Sequence, residues 1–389
     1  MLVSEKLRSF GTTVFAEMTR LAQENAAINL SQGFPDFEGP PEIREAATRA
    51  MAAGHNQYAR SQGVPELVRA VAAHQKKFYD LDFDPLTEVG VFSGATEGLM
   101  SSMLGLLNPG DEVVMFEPHY DSYRACAAMA QATPRFVTLS FPDYALDVEA
   151  LERAINGKTR VLLLNTPHNP TGKVFTREEL GAIAEVVRKH DLLVVSDEVY
   201  EHLTYDDAQH VPIATLPGMR DRTLTVSSFG KTYSFTGWKI GWASGPADML
   251  RAAQAAHQFV VFSTATPLQH AAAFALTELG ASYYRELRAD YSRRRERLLS
   301  VLREVGLETP APQGAYFALA RFAPRFDGTD VEFARHLATE VRVAAVPPSA
   351  FYSSGSEEGR HLVRFAFCKQ LETLDAAATR LRAAFATTP

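Results

Sequence analysis

Between residues 88 and 244 the chain repeats one pattern: a short block of consecutive apolar residues, a turn, then a longer stretch with helical spacing. Blocks such as Val161-Leu162-Leu163-Leu164 and Leu192-Leu193-Val194-Val195 contain no polar alternation. Strands read this way when helices cover both faces of a parallel sheet. The segments predicted as strands are 88–93, 112–117, 135–140, 160–165, 192–197, 223–227 and 240–244, with helices predicted over 97–107, 122–131, 147–155 and 177–189. This pattern predicts an α/β fold with a mostly parallel seven-stranded sheet covered by helices. From about Pro267 the pattern changes to long helices rich in Ala, Leu and Arg, over 267–280 and 283–305, followed by a short α+β stretch. Three parts are expected: an N-terminal arm (1–37) that belongs in part to a smaller domain, a large domain (38–290), and a small C-terminal domain (291–389).

In an open α/β sheet, ligands sit beyond the carboxyl ends of the strands, so the residues after each predicted strand carry the functional reading. Ser93-Gly94-Ala95-Thr96-Glu97 is a small-residue turn opening a helix, whose free N–H groups suit a phosphate. By itself it reads better as a plain strand–helix turn. Asn165-Thr-Pro-His-Asn-Pro-Thr-Gly172 holds amide donors on a proline-stiffened turn. Ser196-Asp197-Glu198-Val199-Tyr200 puts a carboxylate at the end of a buried strand, where it needs a cation or hydrogen-bond donors. A structural ion pair or a helix cap satisfies that need as well as a ligand does. Ser227-Ser-Phe-Gly-Lys231-Thr ends another strand, and Thr236-Gly-Trp-Lys239 follows.

The Gly-Lys-Thr of that segment is not a nucleotide loop, because Thr225 stands where the pattern G-x-x-x-x-G-K-[ST] needs glycine. The second Gly-Lys-Thr, at Gly157, has Glu152 at the corresponding position, and no G-x-G-x-x-G opens a helix. What remains is a lysine and a carboxylate on strand ends, an asparagine and a tyrosine nearby, and two separate phosphate-type donors. That set matches what pyridoxal 5'-phosphate requires: a lysine for the Schiff base and an acid for the pyridine nitrogen.

These residues resemble the class I, fold-type I aminotransferases, in the branch of kynurenine/glutamine transaminases, methionine aminotransferases and some N-succinyldiaminopimelate aminotransferases. The resemblance extends over Asn29–Phe37, Asn56-Gln-Tyr58, Glu117–Tyr123, Asn165–Gly172, Asp197–Tyr200, Ser228–Lys239 and His361–Phe365. It implies that Lys231 carries the cofactor as an imine and moves the substrate proton, that Asp197 pairs with the pyridinium, and that Tyr200 completes the catalytic set. Asn169 and Tyr200 are implied to contact the ring oxygen, and Tyr120 to stack on the ring. The Ala95 and Thr96 amides, Ser228 and Lys239 are implied to hold the phosphate. Tyr58 is implied to reach that phosphate from a second subunit, which makes a homodimer with shared sites the expected partner arrangement. Arg364 is implied to clamp the substrate carboxylate, with Asn169 and the Gly33 backbone. Phe15, Tyr58, Phe262, Tyr316 and Phe351 are implied to line the substrate pocket. Lysine at 239, where many class I enzymes have arginine, is shared with the named branch.

The implied reaction is ping-pong transfer of an amino group from an L-amino acid of methionine, glutamine, aromatic or kynurenine type to a 2-oxo acid. N-succinyldiaminopimelate transamination and C–S β-elimination by a related lyase are the alternatives. A second cationic anchor for a succinyl carboxylate is not evident in the sequence, and His168 is not needed as a base beside Lys231. Composition excludes other classes. The formal net charge is −7, from 39 basic and 46 acidic residues, which disfavours a nucleic-acid or anionic-membrane partner. About thirty residues precede the Ser31-Gln-Gly-Phe-Pro motif, too few for an added helix-turn-helix module. The first fifteen residues lack a signal-type apolar core and no run approaches a spanning helix, so a cytoplasmic location is expected. Cys126 and Cys368 have no ligand or redox spacing, and no metal site is predicted.

Overall fold

The computed structural model describes residues 3–11, 13–323 and 325–386. Its strands in chain order are β1 (Ile28–Asn29), β2 (Val89–Phe92), β3 (Glu112–Glu117), β4 (Thr133–Thr138), β5 (Thr159–Asn165), β6 (Leu193–Asp197), β7 (Thr223–Ser228), β8 (Gly241–Ser244), β9 (Phe317–Arg321), β10 (Val343–Ala344) and β11 (Leu362–Ala366). Seven of them form one sheet in the order β2-β8-β7-β6-β5-β3-β4. The pairs β4/β3, β3/β5, β5/β6 and β6/β7 are parallel, whereas β8 runs antiparallel to both neighbours.

The apolar blocks are continuous because alternate residues serve two different cores. Val114, Phe116, Leu162, Leu164 and Val194 pack on one face with Leu151, Leu180, Ile183 and Val187 from the helices Val148–Ala154 and Arg177–Lys189. Val113, Met115, Val161, Leu163 and Val195 pack on the other, against Leu99, Met103, Cys126 and Leu250. Each such side chain, fully buried, contributes about 1.5–3 kcal/mol of transfer free energy, so register is held on both faces. The helix Arg177–Lys189 starts at a capping box, in which Thr176 and Glu179 satisfy each other's backbone N–H groups.

A third core lies beyond this sheet. The antiparallel pair β9/β11 and the short parallel pair β1/β10 share it with the helix Leu371–Phe385. The helix Ala281–Glu304 is continuous through residue 290, where the sequence suggested a division. Its first turns meet the large sheet's side, with Tyr283 OH donating to the Thr232 carbonyl at 2.7 Å and Tyr284 OH bonded to Tyr233 OH at 2.8 Å. Its later turns bury Leu298, Leu299 and Leu302 in the third core. Among the described residues no helix is long and apolar enough to cross a membrane.

Candidate active site

The carboxyl ends of β5, β6 and β7 open on a cavity of about 270 Å³, closed on its far side by the Gln32–Phe34 segment and by Arg364 of β11. Lys231 stands in the one-turn helix Phe229–Tyr233 that follows β7 directly. Its ammonium donates to Tyr316 OH at 3.0 Å and to the Gly33 carbonyl at 3.4 Å, while Tyr316 OH donates to that same carbonyl at 2.6 Å. Burial pulls the Lys231 pKa down to about 8, with Lys239 adding repulsion, so an uncharged amine is accessible near neutrality.

Asp197 closes β6 and is buried. One carboxylate oxygen accepts a 2.6 Å hydrogen bond from Tyr123 OH, and the other accepts from the Val199 N–H at 3.4 Å. Burial nevertheless pushes its pKa up to about 6, against the Tyr123 hydrogen bond, which lowers it. A buried carboxylate with that much unmet charge accommodates a cationic partner in the cavity. Asn165, at the end of β5, fixes the local frame: its amide donates to the Asp197 carbonyl at 2.8 Å, and its side-chain oxygen accepts from the Asn169 N–H at 2.7 Å.

On the opposite wall Arg364 is 1 % exposed and donates to Asn169 Oδ1 at 3.1 Å and to the Ser31 carbonyl at 2.9 Å. Its guanidinium lies between the rings of Phe317, Phe15 and Phe351, at 4.2, 5.1 and 5.1 Å. Burial lowers its pKa to about 10, which leaves it charged at neutrality, and its Nε–H is buried without a partner among the described residues. A buried guanidinium held by neutral acceptors is a receptor for a carboxylate.

The third wall is the N-terminus of the helix Gly94–Leu106. Gly94 has φ of +76°, and a side chain added there would meet the Lys239 side chain at 3.1 Å. Gly241 is tighter still: a Cβ at that position would come within 2.6 Å of the Ala95 nitrogen. The helix start, Lys239 and Ser228 thus make a small positive recess for a multiply charged anion such as phosphate. Tyr120 lines the cavity beside them and packs edge-on to Tyr123 with ring centres 5.7 Å apart.

Of the residues singled out from sequence, Lys231, Asp197, Tyr200, Asn169, Tyr120, Ala95, Thr96, Ser228, Lys239, Arg364, Gly33 and Phe15 line this one cavity. Tyr316 stands behind Lys231, and Phe351 behind Arg364. Tyr58 and Phe262 are not in it. They pack edge-on to each other, 5.1 Å between centres and 83 % and 40 % exposed, where two segments distant in sequence meet at the surface of the chain. His168 is buried outside the cavity, bonded to Thr171 Oγ1 at 2.7 Å, and burial depresses its pKa to about 3. Sequence reasoning passed over Tyr123, Gln32, Phe34, Val199, Thr236 and Phe317, all of which line the cavity. Tyr123 lay within a motif already noted, but nothing local says that it meets a residue 74 positions away.

The family model "Aminotransferase class I and II" matches residues 25–381. The chain belongs to that family. This aminotransferase is 45 % identical to the "Probable N-succinyldiaminopimelate aminotransferase" of Mycobacterium tuberculosis over 97 % of each chain. The three-dimensional structure of the N-succinyldiaminopimelate aminotransferase from that organism superposes on it with a TM-score of 0.95, over 98 % of this chain and 99 % of that one. The methionine aminotransferase of Escherichia coli is 38 % identical over 98 % of each chain, and the kynurenine–oxoglutarate transaminase of Dictyostelium discoideum is 39 % identical over 96 % and 94 %. The aminotransferase therefore moves an amino group from an amino acid to a 2-oxo acid, and its fold is that of its solved relatives.

Proposed function

We propose that this aminotransferase works with pyridoxal 5'-phosphate held by Lys231 and takes an L-amino acid with a large uncharged side chain, of the methionine, glutamine, aromatic or kynurenine kind. The observation that carries the reading is one cavity joining a lysine of lowered pKa, a buried carboxylate of raised pKa, a positive helix N-terminus and a buried arginine. The donor set fits the cofactor group by group. Gly94–Thr96, Ser228 and Lys239 would take its phosphate, Asp197 its ring nitrogen, Asn169 and Tyr200 its ring oxygen, and Lys231 its aldehyde carbon. When bound, the cofactor supplies an electron sink for the pair left behind when the amino acid's Cα proton departs.

The chain's own residues do the rest. Arg364 and Asn169 grip the α-carboxylate and so fix which Cα bond faces Lys231. Lys231, as a free amine, would take that proton, and its lowered pKa keeps the acceptor form populated near pH 8. Tyr316 and the Gly33 carbonyl hold its nitrogen in position. Asp197 would stay ionised facing a cation and would keep the ring nitrogen of a bound cofactor protonated.

Phe15, Phe34 and Phe317 line the substrate side of the cavity, and its cations among the described residues, Lys231, Lys239 and Arg364, already have assigned partners. That supports an uncharged side chain. A second reading, N-succinyldiaminopimelate as donor, is favoured by the 45 % identity to the relative of that name. The aromatic patch of Tyr58, Phe259 (90 % exposed) and Phe262 supports a homodimer in which Tyr58 reaches the neighbouring phosphate site. Pairing of Ile28–Asn29 with Val343–Ala344 supports grouping the N-terminal arm with residues 291–389, against a cofactor-binding body of 38–290. Two separate buried cysteines accord with work in the reducing cytoplasm.

The test is a visible spectrum of the purified protein before and after methionine, then a 2-oxo acid. Bleaching of a yellow band by methionine and its return with the oxo acid is the expected result. A band that responds to succinylated diaminopimelate and not to methionine selects the second reading. A colourless protein that takes up no cofactor overturns the assignment of Lys231.

A further inference from the structure

Behind the strand ends that face the cavity, a second group of chemically active side chains is buried without a role in transamination. His74 lies on the helix Pro65–Tyr79, while Glu201 and His202 follow β6, four and five residues after Asp197. His74 Nε2 is 3.1 Å from His202 Nε2 and 3.3 Å from Glu201 Oε2, and His202 Nε2 is 3.9 Å from that same oxygen. The three side chains are 3 %, 2 % and 8 % exposed.

We propose that His74, Glu201 and His202 form a binding site for a divalent transition-metal ion of the zinc class. A point inside the triangle of those three atoms stands about 2.0 Å from each of them, the length of a zinc–nitrogen or zinc–oxygen bond. Two imidazoles and one carboxylate are a donor set that zinc-class ions prefer over magnesium or calcium. The facing ring nitrogens make the same case from sterics: at 3.1 Å they cannot both carry a hydrogen, and an ion between them takes a lone pair from each. The carboxylate is already aimed. Tyr79 OH donates to Glu201 Oε2 at 2.7 Å and Ser227 Oγ donates to Oε1 at 2.6 Å, the kind of outer support that orients metal ligands. Three protein ligands leave a fourth position for water, and the partly exposed edge of His202 gives the ion a route from solvent.

The ligands come from two elements far apart in sequence, so the ion ties the helix Pro65–Tyr79 to the segment that carries Asp197 and Tyr200. Its expected effect is on the rigidity and thermal stability of that segment. The site is separate from the cavity, since none of its three residues lines it.

The experiment uses the untagged, full-length protein with its cofactor, dialysed against a chelator and titrated with Co²⁺ and then Zn²⁺. Expected are uptake of one equivalent per chain, a cobalt d–d band displaced by zinc, and a thermal midpoint that rises with zinc. His202→Asn should weaken binding by about 100-fold while circular dichroism is unchanged, and His74→Gln should do the same if it folds. His270→Asn, which breaks a second close histidine pair (rings of His55 and His270 4.0 Å apart), should bind as the parent does. Absence of saturable uptake by the parent, uptake that survives His202→Asn, or uptake lost in His270→Asn each overturns the proposal.

Discussion

The hydroxyl of Tyr123 donates a 2.6 Å hydrogen bond to Oδ2 of Asp197, and it is the one side-chain hydrogen bond that the buried carboxylate receives among the described residues. It opposes the burial that drives the Asp197 pKa upward. Tyr123→Phe keeps the ring packing and removes the donor. A hydrogen bond to a charged group is worth about 1.5–3 kcal/mol, so kcat should fall by roughly 10- to 100-fold with the fold intact. Steady-state kinetics beside circular dichroism checks this; unchanged kcat would mean that the bond does not support Asp197.

Asp197 should destabilise the cofactor-free protein at neutral pH. Its folded pKa, about 6, lies above the ordinary 3.8, so the protonated form stabilises the fold below 3.8 and that contribution is lost as pH rises through 6. A shift of this size corresponds to about 3 kcal/mol. Asp197→Asn mimics the protonated acid, and without cofactor its thermal midpoint at pH 7 should exceed the parent's. Added cofactor should raise the parent's midpoint by more than the variant's, because only the parent offers the ring nitrogen a carboxylate. A variant less stable than the cofactor-free parent contradicts this.

Lys231 reacts with an aldehyde only as the free amine. With a folded pKa of about 8, the rate at which the cofactor-free protein recaptures pyridoxal phosphate should rise as pH passes from 7 to 9 and then level off. Stopped-flow absorbance reads this directly. Lys231→Ala should lose the yellow band and turnover together, and near-parental turnover in that variant ends the assignment.

Arg364→Lys replaces a fork with a point charge in a slot lined by Phe15, Phe317 and Phe351. The lysine's three N–H donors cannot serve Asn169 Oδ1, the Ser31 carbonyl and both oxygens of a carboxylate at once. Loss of about 2–4 kcal/mol of substrate binding should raise KM by at least roughly 30-fold, while the cofactor spectrum stays as in the parent. A spectral change without a KM change would move Arg364 to the cofactor.

Gly241→Ala puts a methyl group 2.6 Å from the Ala95 nitrogen, in the backbone that cradles the anion recess. The helix start must shift, and cofactor affinity should drop at least about tenfold with folding retained. Equilibrium dialysis of the cofactor measures it.

The large sheet was legible because its side chains have a short-range cause. Continuous apolar blocks at β5 and β6 mark strands buried on both faces, and the turn residues after them mark the functional edge of the sheet. The strand ends that carry Lys231 and Asp197 could be located that way, and the long motifs supplied the family. The antiparallel run of β8 left no mark, since a buried strand reads the same in either direction.

What only the tertiary structure decided are contacts between residues distant in sequence. Tyr123 on Asp197, Phe317 under Arg364 and Tyr316 on Lys231 each need the approach of elements far apart in sequence. His74 and His202, 128 positions apart, are unremarkable alone and become three-sided with Glu201 only when the helix Pro65–Tyr79 docks. Hydrophobic period and turn chemistry are written locally, because they act over a few residues. Hydrogen bonds, pKa shifts and ligand geometry act across space, over a few ångströms, and so become readable only once packing has fixed which side chains are neighbours.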